Sequence, residues 1–103
     1  MSQTFKIRQY KNTQRRIFKY ELPLLETKDY YFAPFQILNL DVQDNIPVFW
    51  SLVFTEEKPK HYQITGLWTG MEHEEKDGTY IGTLTVNGIV YHYFMREIYY
   101  GTR

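Results

Sequence analysis

Thr79-Tyr80-Ile81-Gly82-Thr83-Leu84-Thr85-Val86-Asn87-Gly88-Ile89-Val90-Tyr91-His92-Tyr93-Phe94-Met95-Arg96-Glu97 reads as a β-hairpin. Asn-Gly supplies the two positive φ angles of a type I′ turn, so the reversal falls at Asn87-Gly88 and the arms are 79–86 and 89–97. Both arms are rich in β-branched and aromatic residues, which fit a pleated, half-buried surface. Along the second arm Val90, His92 and Phe94 project to one face, and Ile89, Tyr91, Tyr93 and Met95 to the other. If the first set meets the core, His92 is a structural histidine bonded to a neighbour. The second set is then an apolar stripe in need of a cover, supplied by a second sheet or by a partner subunit.

Working outward, residues 36–43 set Leu38, Leu40 and Val42 against Asn39, Asp41 and Gln43, a strict period of two. Asp44-Asn45 is a turn pair, and 47–54 runs apolar on both faces, which predicts a central strand. Alternation also marks strands over 16–22 and 28–33, ended or interrupted by Pro23 and Pro34, and over 61–68. Gly66 and Gly70 bracket Leu67-Trp68-Thr69 and suggest a bulge or a close backbone approach. The expected fold is all-β, a small antiparallel sandwich or barrel of seven to eight strands, the eighth being Phe5 to Tyr10. Residues 1–14 read as a basic arm or edge strand, 15–98 as a single β domain and 99–103 as a C-terminal tail.

A chain of 103 residues has room for one core. It has no cysteine, which suits a reducing compartment, and no apolar run of signal-peptide or membrane-span length, so a soluble, unexported protein is expected. Formal net charge is zero, yet Lys6, Arg8, Lys11, Arg15, Arg16 and Lys19 all precede the first acid, Glu21. Glu72, Glu74, Glu75 and Asp77 crowd one later segment. Ten Tyr, seven Phe and two Trp are large, rigid side chains of the kind binding faces use.

Chemistry is sparse by comparison. Serine occurs only at Ser2 and Ser51, no glycine-rich loop joins a strand to a helix, and His73 among its glutamates has no second histidine at ligand spacing. The expectation is a protein that binds rather than catalyses, without metal or cofactor.

Arg16 to Leu22, Gln43, Pro47 to Val53, Tyr80-Ile81-Gly82-Thr83, Val90, His92 and Phe94 together resemble a family of small, uncharacterised phage and prophage proteins. The resemblance covers about residues 15–97. It departs at Pro34-Phe35-Gln36, where the family has a small-residue turn, and at Trp68-Thr69-Gly70-Met71, where it has Gly-Thr-Gly-His. The resemblance implies a phage or prophage source and action in the host cytoplasm, with counter-defence as the expected role.

Three kinds of partner fit such a protein. The first is a signalling nucleotide, cyclic or of ADP-ribose type, sequestered at the interfaces of a homo-oligomer. Trp68, Tyr91 or Tyr93 would stack on the base and Arg15, Arg16 or Lys19 would pair with phosphate, while Gln43, Thr69, the backbone at Gly70 and His92 complete the candidate set. The second is a host defence enzyme, inhibited through an aromatic face and the acidic loop. The third is single-stranded nucleic acid, for which a neutral chain is a weak electrostatic match.

Overall fold

The structure is a computed structural model and describes residues 14–100. Those residues form seven strands: β1 (Arg15–Glu21), β2 (Thr27–Phe32), β3 (Pro34–Gln43), β4 (Ile46–Phe54), β5 (Lys60–Trp68), β6 (Thr79–Val86) and β7 (Ile89–Ile98), with one 3₁₀ turn at Glu75–Asp77. They build two antiparallel sheets, ordered β1-β4-β3 and β2-β5-β7-β6, that are not closed into a barrel. The chain is therefore an open sandwich, and the choice between sandwich and barrel is settled. The expected strand from Phe5 to Tyr10 lies outside the described residues. Among the described residues no helix is long and apolar enough to cross a membrane.

Both two-residue hairpins form where the turn residues place them. Asn87 and Gly88 take φ of 50° and 81°, and Val86 pairs with Ile89. Asp44 and Asn45 take 53° and 66°, and Gln43 pairs with Ile46. Of the remaining connections, β1–β2, β2–β3 and β4–β5 carry the chain between sheets, whereas β5–β6 stays within the four-stranded one. A single residue, Ala33, separates β2 from β3, and its carbonyl accepts from Phe54 N at 2.9 Å as the chain turns from one sheet into the other.

The core lies between the sheets and is largely aromatic. Tyr20 packs on Phe49 and Phe32 with ring centroids 5.1 and 5.0 Å away, and Tyr30 meets Phe49 edge-on at 5.6 Å. Each large side chain so buried contributes about 1.5–3 kcal/mol. Two phenol groups enter this core and find carbonyl partners: Tyr93 donates to Pro23 O at 2.9 Å, and Tyr30 donates to Glu21 O. Burial pushes both phenols well above the ordinary tyrosine range.

The faces of β7 are thereby assigned. Tyr91 and Tyr93 are 5% and 0% exposed and face the other sheet, so the second sheet covers the apolar stripe. His92 and Phe94 are on the outer face. Gly66 sits opposite Tyr93, and a Cβ there would lie 2.8 Å from the ring, which is the close approach that the glycine in the β5 pattern suggests. β4 is central, as expected, but in a sheet of three. Phe49, Ser51 and Val53 face the other sheet; on the opposite face of β4 Val48 is buried, at 3% exposure, and Trp50, Leu52 and Phe54 are half-buried.

Candidate functional site

The outer face of the four-stranded sheet gathers all three histidines of the chain. Inward-facing Tyr30, Ile64 and Tyr93 leave Asp29 and Tyr31 of β2, His61, Gln63 and Thr65 of β5, and His92, Phe94 and Arg96 of β7 on this face. Two ordered clusters result.

The first lies along β2 and β5. The His61 ring stacks between Tyr31 and Tyr100, with centroids 4.5 and 5.6 Å away and both interplanar angles at 14°. His61 Nε2 is 2.7 Å from Asp29 Oδ1, and its Nδ1 meets the Tyr100 hydroxyl. Gln63 Nε2 donates to the same carboxylate oxygen at 3.0 Å, and Arg96 Nη2 donates to Gln63 Oε1 at 2.9 Å. The hydrogen bond from His61, and after it that from Gln63, holds the Asp29 carboxyl below its ordinary value.

The second cluster lies across β7 and β6. His92 Nε2 is 2.7 Å from Thr69 Oγ1, and Nδ1 is 3.0 Å from Thr83 Oγ1, which in turn is 2.6 Å from the Tyr80 hydroxyl. A neutral imidazole carries one N–H, so one threonine donates to the ring and the other accepts from it. Beside this chain Phe94 packs against His73 at 4.4 Å and Tyr80 at 5.7 Å. Tyr80 and Thr83 also line a groove of about 410 Å³ that runs between β6 and Leu38, Asn39 and Leu40 of β3.

The residues selected from sequence divide between the sheets. Thr69 and His92 meet directly on this face. Trp68 is 40% exposed but lies at the end of β5 on the opposite side, paired with Tyr91, and Gly70 opens the turn beyond it at φ 99°. Tyr91 and Tyr93 belong to the core, which corrects their assignment as stacking residues: alternation separates two faces without saying which is inside. Lys19 Nζ donates to Gln43 Oε1 at 2.9 Å, and Arg15 lies over the Phe35 ring at 4.4 Å, both on the three-stranded sheet. Arg16 is exposed on the same β1 strand. The cations and the Thr69–His92 pair thus belong to different sheets of one copy.

Sequence reasoning did not single out Asp29, Tyr31, His61 or Tyr100. Their common signal is the pairing of β2 with β5, which no turn motif announces. His73, which stands among glutamates in the sequence, is packed on Phe94.

Fold and face together define an open two-sheet antiparallel β-sandwich with an ordered aromatic and histidine surface. The chain belongs to the family described as a domain of unknown function (DUF7352), whose model matches residues 13–99. No curated protein and no solved structure matches it.

Proposed function

We propose that the chain is a non-catalytic binding module that takes a protein partner on the outer face of its four-stranded sheet. The observation that supports this most is order: both ring nitrogens of His61 and of His92 are engaged by neighbours. The rings around them, Tyr31, Tyr80, Phe94 and Tyr100, are therefore positioned before a partner arrives. Tyrosine offers large contact area with few rotors, and a preorganised face loses little freedom on binding. Ser51, the one serine within the strands, is fully buried with its hydroxyl 3.0 Å from the Gln36 and Leu52 carbonyls, a structural role and not that of a nucleophile.

Tyr31 and Tyr80 are 65% and 55% exposed and stand at the two ends of the face, so alanine at both is expected to weaken partner binding by about 2 kcal/mol or more, roughly 30-fold. Affinity capture from the source cell with wild-type and Tyr31→Ala/Tyr80→Ala baits tests this. A stoichiometric partner kept by the first and lost by the second supports the proposal, and a partner held equally by both removes it.

A signalling nucleotide is the second reading, favoured by the groove where Asn39, Tyr80 and Thr83 set an amide, a ring and a hydroxyl together. Its phosphates would need Arg15, Arg16 or Lys19 from another copy, since these stand on the other sheet. A thermal shift with cyclic or ADP-ribose-type nucleotides that Tyr80→Ala abolishes would select it. A phage source, a counter-defence role and action in the host cytoplasm rest on the family resemblance alone.

A further inference from the structure

One end of the outer face of the four-stranded sheet has a chemistry of its own. The hydrogen bonds from His61 and Gln63 favour the ionised form of Asp29, and a carboxylate only accepts. The neutral His61 ring therefore carries its proton on Nε2, 2.7 Å from Asp29 Oδ1, and its Nδ1 accepts from the Tyr100 hydroxyl. Gln63 spends an amide N–H on the same Oδ1. These donors are all used within the cluster, and what they leave toward solvent is acceptors and rings. Asp29 is 52% exposed, and among the described residues no hydrogen bond reaches its Oδ2. Tyr31 and Tyr100 are 65% and 74% exposed.

The surrounding charge has the same sign. His73 on Phe94 holds the 72–77 segment, with Glu72, Glu74, Glu75 and Asp77, against this side of the sheet, and the cation of that segment, Lys76, is 3.3 Å from Glu74. Arg96, the arginine of the face itself, is engaged by Gln63 and stands two strands away from Asp29. Arg15, Arg16 and Lys19 are on the other sheet. An anion is repelled at such a place and a cation attracted. One carboxylate is too few for a divalent ion, which takes about six oxygens, and among the described residues no three acidic or histidine side chains converge to hold one.

We propose that the Asp29–Tyr31–His61–Tyr100 cluster takes an arginine side chain from a basic segment of the protein partner, with the guanidinium against the Tyr31 ring and donating to Asp29 Oδ2. Asp29 and Tyr31 are alternate residues on one face of β2, about 7 Å apart along the strand, so one side chain can reach both. Planarity selects arginine over lysine: a guanidinium stacks on a ring and donates in its own plane at once, whereas an ammonium is a point charge. The inference rests on reading this face as the partner surface and names what the partner brings to it.

Amide resonances of the isotope-labelled full chain test this in titrations with blocked Gly-Gly-Arg-Gly-Gly and its lysine and glutamate counterparts. The arginine peptide is expected to move the Asp29, Tyr31 and His61 resonances with a dissociation constant of about 1 mM, the lysine peptide to bind about threefold more weakly, and the glutamate peptide not to bind. Asp29→Asn should weaken the arginine peptide about tenfold, by loss of the charge-assisted bond, and Tyr31→Leu about threefold, by loss of the ring. Tyr31 is exposed, so its variant keeps the test independent of any stability lost with Asp29. No movement at these residues, movement confined to 72–77, or equal binding by wild type and both variants overturns the proposal. Lysine bound as tightly as arginine overturns the assignment to a guanidinium. A captured partner that depends on Tyr80 but not on Asp29 leaves the protein-binding reading standing and overturns this inference, whereas arginine binding with no protein captured upholds the cluster and removes the reading.

Discussion

Asp29 is exposed, yet three side chains are organised around its carboxylate: His61 and Gln63 donate to one oxygen, and Arg96 steadies Gln63 from behind. Because these hydrogen bonds depress its folded-state pKa, the carboxylate contributes stability above its unfolded value of about 3.9, and the contribution is lost as pH falls through the folded value. Asp29→Asn is expected to be less stable than wild type at neutral pH, with the two urea midpoints converging as pH is lowered and the carboxylate becomes protonated. A constant gap as pH falls would mean that packing, not charge, makes the difference. At this scale the sequence was a partial guide. Thr69 and His92, 23 residues apart, were both selected as candidates, but their contact depends on the β5–β7 pairing. Tyr91 and Tyr93 could not be placed, since a period of two yields a pair of faces and only the opposing sheet decides which is buried. For His61 the decisive contact is with Asp29, 32 residues away, and no local pattern encodes it.

Among the elements, hairpins were the most legible because their turn residues must satisfy a backbone requirement that few side chains meet. Asn45 holds φ at 66° in the β3–β4 turn. Glycine adopts that conformation freely and a β-branched residue resists it. Asn45→Gly should therefore keep the chain at least as stable as wild type, whereas Asn45→Val should cost about 1–2 kcal/mol, both read from chemical denaturation midpoints. Equal stability of the two variants would show that the turn is not held in the left-handed region. The β2–β5 and β1–β4 pairings were illegible for the opposite reason. They join strands separated by whole elements, and long-range pairing is selected by how the apolar faces close on each other and not by any short motif. β4 lies between these cases: its two-sided apolar pattern announced a central strand correctly, but which face meets the other sheet was not readable from 47–54.

On the scale of the whole molecule the all-β class and the strand inventory of the described residues followed from periodicity, whereas the division into sheets of three and four did not. That division depends on where the chain changes sheets, and Ala33 makes one such change in a single residue: β2 ends at Phe32 in the four-stranded sheet and β3 begins at Pro34 in the other. A connection so short leaves neither sheet free to come apart while the other stays intact. The chain also carries a natural means of watching this, because its two tryptophans are divided between the sheets, Trp50 on β4 and Trp68 on β5. Trp68→Phe leaves an indole reporting on the three-stranded sheet, and Trp50→Phe leaves one reporting on the four-stranded sheet. The two fluorescence melts, each normalised to far-ultraviolet circular dichroism of the same variant, should superimpose on it as a single cooperative transition. An indole signal that changes ahead of the dichroism in either variant would show that one sheet loosens on its own.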